Sequence, residues 1–138
     1  YNSPKGLEII KNPSATLLFH WDNLARQIRI YGKIEKISTE KSDKYFYSRP
    51  IGSQISACIS NQSEPIKDRA YLEIKMQEFK EKLNNSNIKR PETWGGFILQ
   101  PMQIEFWQGQ KDRLHDRVLY TKKSIAQASK WSKARLSP

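Results

Sequence analysis

Two consecutive runs decide the fold: Ala15-Thr16-Leu17-Leu18-Phe19-His20-Trp21 and, after Asp22-Asn23, Arg26-Gln27-Ile28-Arg29-Ile30-Tyr31-Gly32-Lys33-Ile34-Glu35-Lys36-Ile37. The first is short, apolar and preceded by Asn12-Pro13, the pattern of a mostly buried strand. In the second, Ile28, Ile30 and Ile34 recur at period two, with Gln27, Arg29, Tyr31 and Lys33 on the other face. Asp22-Asn23 supplies a turn, so the pair reads as a β-hairpin.

Helices follow. Ser38 is placed to cap a helix with Glu40 in its first turn. That helix should stop near Ser48, because Pro50 disfavours helical geometry at Arg49. Residues 53–60 read as a short helix, and residues 68–83 as a longer one with Leu72, Met76, Phe79 and Leu83 on a core-facing stripe. Asn84-Asn85-Ser86-Asn87 and Arg90-Pro91 mark a polar loop. After Gly95-Gly96 come strand-like runs at 97–99, 104–107 and 114–120, with a last short strand at 134–136. No repeat and no internal boundary interrupts this order, so residues 1–138 read as one domain. The class is α+β, with an antiparallel sheet that curls into a barrel.

Charge narrows the partners. The 138 residues hold 24 Lys plus Arg against 14 Asp plus Glu, a net charge of +10. From Lys111 onward the net is +6, whereas Lys33-Ile34-Glu35-Lys36 and similar stretches mix signs as a solvated face does. The excess fits an anionic partner. Aromatic residues are not interleaved with the basic ones in a nucleic-acid motif, so phosphorylated small molecules fit better than nucleic acid. No stretch approaches the roughly 18 apolar residues of a membrane span. One cysteine, Cys58, excludes an internal disulfide, and with two histidines no metal site is expected. Set among Ile55, Ala57 and Ile59, Cys58 reads as a small buried hydrophobe in a reducing, cytoplasmic compartment. The chain begins at Tyr1 and not at a methionine, which reads as processing, trimming or a fragment.

Three groups of residues carry chemistry. In Arg113-Leu114-His115-Asp116-Arg117, a strand would send Arg113, His115 and Arg117 to one side, a cationic row that needs an anion or acceptor. Its competing reading is a salt-bridged edge strand. Trp107, just upstream and on a face with Glu105, could pack on a planar aromatic ligand. Tyr45 and Arg49, four apart, share a helix face, and Ser53 follows at a helix start, which together resemble a phosphate cup. Gln27 and Gln62-Ser63 could add neutral donors and acceptors. There is no Gly-rich phosphate loop, carboxylate pair or nucleophile elbow.

These motifs occur in a familiar order: Arg26 to Gly32, Tyr45-Phe46-Tyr47-Ser48-Arg49-Pro50, Ser53-Gln54-Ile55, Ser60-Asn61-Gln62-Ser63, Arg90-Pro91-Glu92-Thr93-Trp94-Gly95-Gly96, Ile104-Glu105-Phe106-Trp107-Gln108-Gly109, Arg113-Leu114-His115-Asp116-Arg117 and Arg135-Leu136-Ser137-Pro138. The series closely resembles the pyridoxine (pyridoxamine) 5′-phosphate oxidase family over essentially the whole chain. The resemblance implies an FMN-binding split β-barrel, antiparallel and Greek-key-like with flanking helices. It further implies a homodimer whose C-terminal dimerisation region lies at about 94–138. The implied reaction oxidises pyridoxine 5′-phosphate or pyridoxamine 5′-phosphate to pyridoxal 5′-phosphate, with O2 as acceptor and H2O2 released. Carried onto matching positions, Lys5, Gln27, Gln62, Ser63, Trp107 and Arg117 look like FMN contacts. Tyr45, Arg49 and Ser53 look like the cup for the substrate's phosphate. Arg113 and His115 look like the catalytic pair that covers the substrate ring.

Two departures from the family pattern stand out. Ser3-Pro4-Lys5 replaces a Ser-Arg-Lys run, and the family's first strands, with their own phosphate-binding basic residues, have no counterpart here. The expected barrel is therefore incomplete at its N-terminus. The alternative reading is a catalytically impaired family member that dimerises or binds pyridoxal phosphate.

Overall fold

The computed structural model describes residues 1–83, 87–123 and 130–138. They form two compact units, residues 1–11 with 36–98 and residues 12–35 with 99–138. Helices α1 (Pro4–Lys11), α2 (Thr39–Ser48), α3 (Ile51–Ile59) and α4 (Arg69–Leu83) belong to the first. Strands β1 (Ser14–Trp21), β2 (Arg26–Lys36), β3 (Phe97–Gln108), β4 (Asp116–Lys122) and β5 (Trp131–Leu136) form one sheet in chain order, mostly within the second. The β1–β2, β3–β4 and β4–β5 pairs are antiparallel. The class is α+β, of the split-barrel type. No described helix is long and apolar enough to cross a membrane.

Local chemistry explains the first unit. The Ser38 hydroxyl accepts from the Lys41 amide at 3.3 Å and starts α2, and the same hydroxyl holds the Glu40 carboxyl below its ordinary pKa. Arg49, at φ −81° and ψ 152°, ends it with the extended backbone a following proline requires. Asp68 caps α4 by accepting from the Tyr71 amide at 2.9 Å. Phe46 and Ile55 are fully buried and Ile88 nearly so, and Met76, Phe79 and Leu83 of the α4 stripe pack on them. Cys58 packs on this core too, and burial pushes its thiol pKa up, as a small hydrophobe would show.

Helix α1 falls in a stretch to which the sequence reading assigns no element. Pro4 is its first residue, where the missing N–H costs no hydrogen bond, and the Ser3 hydroxyl accepts from the Gly6 amide at 3.2 Å. Gly6 is required by space: a Cβ there would lie 2.4 Å from the Tyr1 carbonyl oxygen.

The sheet brings three corrections. β1 is a strand and pairs with β2 as expected, from Ser14↔Lys33 to Trp21↔Arg26. It is not mostly buried: Leu17, Leu18, Phe19 and Trp21 are all exposed, Leu18 by 59%. β1 is the edge of the sheet and has β2 as its only strand neighbour among the described residues. The runs at 97–99 and 104–107 are one strand, β3. Pro101 is tolerated inside it because pairing with β4 begins only at Gln103↔Thr121. Close approach to β3 also fixes Gly32 of β2, where a Cβ would lie 2.1 Å from the Gln100 carbonyl oxygen.

The third correction concerns the expected Arg–His–Arg strand. β4 begins only at Asp116, so Arg117 lies on a strand while Arg113 and His115 do not. Residues 111–113 form a single 3-10 turn, and Asp112 and Arg113 both sit in left-handed backbone, at φ 56° and 60°. Period-two alternation does not apply across that corner. The first three residues of the loop expected at Asn84-Asn85-Ser86-Asn87 lie outside the described residues.

Candidate functional site

The second unit builds one group of candidate residues around the ends of β2, β3 and β4. A cavity of about 510 Å³ is lined by Gln27 and Trp107 together with Trp21, Ile28, Phe106 and Val118. The turn beside it is tied down by Gln108, whose side chain accepts from Arg26 Nε at 2.7 Å and donates to the carbonyls of Leu24 and Ala25. The Gly109 amide donates to the Ala25 carbonyl at 2.7 Å. The result is an apolar hollow with an amide and an indole on its wall, suited to a flat heteroaromatic ring with polar edges.

His115 lies over Trp107, ring centroids 4.8 Å apart. Its Nδ1 accepts from the Gln110 backbone amide at 3.1 Å, so the neutral ring carries its proton on Nε2. Arg113 is exposed at the left-handed corner two residues away. The structure therefore brings His115 to Trp107 by a turn and not by strand alternation.

Arg117 stands directly across from Trp107 in the β3–β4 pair. Its Nε donates to Glu105 Oε1 at 2.8 Å, and its Nη1 donates to the Ser137 carbonyl at 3.0 Å. Glu105 is buried and also lies 3.7 Å from Arg29, so one carboxylate is shared by two guanidinium groups. The hydrogen bond from Arg117 to Glu105 holds the Arg117 pKa above its ordinary value. Glu105 was noted in the sequence only for sharing a face with Trp107. A lone acid set between Ile104 and Phe106 in a strand is the available signal that a cation lies near it.

The first unit carries the anion-binding features. Tyr45 on α2 and Arg49 just beyond its end both meet Trp94: the tyrosine ring stacks on it at 6.0 Å, and the guanidinium lies over it at 5.0 Å. Arg49 Nη1 is buried without a hydrogen-bond partner among the described residues. An unpaired buried charge donor is costly unless an anion completes it. α3 begins at Ile51 with no side chain capping it, and space over Gly52 is open. Half-buried Ser53 lies in that first turn. A helix start beside an unpaired guanidinium suits a phosphate group.

Gln62 lines a polar hollow of about 210 Å³ together with Asn2, Ser3 and Asn61. Ser63, in left-handed backbone at φ 69°, lines a different hollow with Ser60 and Tyr71. Lys5 is exposed on the first turn of α1. The structure thus joins Tyr45 to Arg49 and Gln27 to Trp107 and His115, and it sets Gln62 beside the start of α1. Ser63 opens into another hollow than Gln62 does.

Residues 1–83 match the pyridoxamine 5′-phosphate oxidase family, and residues 94–138 match the pyridoxine 5′-phosphate oxidase C-terminal dimerisation region. The pyridoxine/pyridoxamine 5′-phosphate oxidase of Trichormus variabilis is 53% identical over 138 residues, which cover 100% of this chain and 63% of that protein. The same-named protein of Burkholderia pseudomallei is 52% identical, covering 100% of this chain and 64% of its own. PhzG from Burkholderia lata, solved in complex with tetrahydrophenazine-1-carboxylic acid, superposes with a TM-score of 0.82 at 28% identity, over 99% of this chain and 64% of that one. A pyridoxamine 5′-phosphate oxidase-related, FMN-binding protein from Nostoc punctiforme shares the fold, with a TM-score of 0.64 at 19% identity over 99% and 69% of the two chains. The chain spans somewhat under two thirds of the length of the curated relatives it matches. By the family match over residues 1–83 and the identity that runs through all 138 residues, the chain belongs to the pyridoxamine 5′-phosphate oxidase family.

Proposed function

We propose that the chain serves FMN-dependent oxidation of pyridoxine 5′-phosphate or pyridoxamine 5′-phosphate to pyridoxal 5′-phosphate, as a homodimer in the cytoplasm. The observation that carries this reading is the buried, unpartnered Arg49 Nη1 beside the uncapped start of α3. Membership in the family supports a phosphorylated B6 vitamer as the ligand of that anion site. Residues 1–138 act as one FMN-binding split-barrel domain, with residues 94–138 as its dimerisation region.

The side chains fit FMN. In the second unit, the hollow that Gln27 and Trp107 line has room for a flat heteroaromatic ring, and Arg117, outside that lining but paired with Trp107 across β3 and β4, offers a fixed cation. In the first unit, Lys5 stands at the start of α1 for a phosphate, and Gln62 and Ser63 supply neutral hydrogen-bonding groups. FMN would supply a two-electron acceptor for oxidation at C4′, with O2 as final acceptor giving H2O2 and, for the amine substrate, water replacing nitrogen that leaves as ammonia.

The protein's part is binding and orientation. Tyr45, Arg49 and Ser53 grip the substrate phosphate and so hold the ring by its 5′ substituent. Arg113 and His115 cover the pyridine ring. With Nδ1 engaged by the Gln110 amide, His115 presents Nε2–H as a donor to a polar ring substituent. Glu105 holds Arg117 extended and charged, so that the guanidinium is set before FMN arrives.

Flavin fluorescence on titration of FMN into the purified protein tests the cofactor reading. Binding should quench the fluorescence, and Arg117→Ala should weaken FMN binding about 10-fold by removing one charge-assisted donor. An unchanged FMN affinity in that variant would remove Arg117 from the site.

A further inference from the structure

We propose that Trp94 is the positioning residue of the phosphate cup, the platform on which Tyr45 and Arg49 are set for the substrate's phosphate. The inference rests on the reading that Tyr45 and Arg49 bind that phosphate. Trp94 lies outside every pattern that the sequence offered for the cup, in the turn between Pro91 and Gly95, where its amide donates to the Pro91 carbonyl at 2.9 Å.

Three contacts converge on its ring. Tyr45 stacks on it with an interplanar angle of 23°, Arg49 Cζ lies 5.0 Å from its centroid, and Phe46 meets it edge-on at 5.2 Å. Phe46 is fully buried, so the indole is braced from the core side. Its backbone is braced as well: Arg90 Nη1 donates to the Trp94 carbonyl at 2.6 Å, and Arg90 Nε donates to Asp43 at 2.6 Å. Asp43 belongs to α2, the helix that carries Tyr45, so one ion pair ties the platform to the helix it serves.

A ring face attracts a guanidinium through its quadrupole and leaves the edge N–H groups free. For Arg49 that means its position is held without spending the donors a phosphate needs. The unpartnered Nη1 is the expected consequence. Without the indole, Arg49 and Tyr45 would each sample other rotamers and would have to be ordered at the moment of binding, which costs affinity.

The test compares Trp94→Leu, Trp94→Phe and Arg49→Ala in the FMN-loaded protein, with pyridoxine 5′-phosphate and unphosphorylated pyridoxine as substrates. Binding of pyridoxal 5′-phosphate to the flavin-free protein is titrated alongside. Trp94→Leu should raise KM for the phosphorylated substrate, and Kd for pyridoxal 5′-phosphate, about 10-fold, with kcat and the handling of pyridoxine unchanged. Trp94→Phe keeps an aromatic face on Phe46 and should recover most of that loss. Equal losses on both substrates would mean a merely structural role and overturn the proposal. So would unchanged KM and Kd in both Trp94 variants while Arg49→Ala raises them. If Arg49→Ala also changes nothing, the phosphate reading itself falls, and this inference falls with it.

Discussion

Replacing Arg49 with Ala is expected to raise KM for the phosphorylated substrate about 100-fold with kcat nearly unchanged, because a bidentate charged hydrogen bond contributes about 3 kcal/mol and tenfold in affinity is about 1.4 kcal/mol. The expectation follows from burial. Nη1 of Arg49 is shielded from water and has no hydrogen-bond partner among the described residues, so little competes with a bound phosphate for it. The phosphate takes no part in the bond changes at C4′. Its interactions are therefore equal in the bound ground state and the transition state, and their loss appears in KM. Steady-state kinetics over a wide substrate range separate the two parameters. A fall in kcat at constant KM would place Arg49 at the reacting end of the ligand and not at its phosphate.

The second large effect concerns stability. Phe46→Ala should lower the free energy of unfolding by about 3–5 kcal/mol, the usual cost of emptying a buried aromatic site. Phe46 is 0% exposed and meets both Tyr47 and Trp94 edge-on at 5.2 Å. Ile55 and Ile88 are buried with it, and side chains including Met76, Phe79, Leu83 and Trp94 pack around this centre, so the truncation would empty a site that many neighbours share. Against a typical total stability of about 5–15 kcal/mol, the variant should approach the threshold of folding. Urea unfolding followed by circular dichroism measures it: the midpoint should fall with an unchanged slope. A shift below about 1 kcal/mol, the scale of a surface substitution, would show that the core is not centred on Phe46.

The same residue links stability and site, since Phe46 braces Trp94 from beneath. It also shows what the sequence makes legible. Period two in β2, the Ser38 cap, the Pro50 stop and the α4 stripe are local rules, and the chain obeys them where they are written. The shared helix face expected of Tyr45 and Arg49 does not form, because α2 ends at Ser48 and Arg49 is extended; the two meet on the Trp94 ring instead. Where the outcome depends on distant chain, the local signal fails. β1 is apolar enough to be buried, yet burial depends on what lies beyond a sheet edge, and β1 is that edge.

At Asp112 and Arg113 two successive left-handed residues turn the backbone; Asp112 is a residue type that tolerates this conformation, but Arg113 gives no sign of it. α1 hides behind Pro4 and Gly6, each excused by a context that only the fold supplies. Trp94 reads as part of a polar loop until Tyr45 and Arg49 are seen against its faces. The motifs that specify the family survive these errors, because they depend on residue order and not on which element carries them.

The central claim is oxidation of a phosphorylated B6 vitamer with FMN. The most direct test is peroxide release by the FMN-loaded protein, with pyridoxamine 5′-phosphate, pyridoxine 5′-phosphate and unphosphorylated pyridoxine compared at equal concentration. One H2O2 should appear for each pyridoxal 5′-phosphate formed, with strong preference for the phosphorylated substrates. A folded, FMN-loaded protein that releases no peroxide, or that oxidises pyridoxine equally well, would contradict the account.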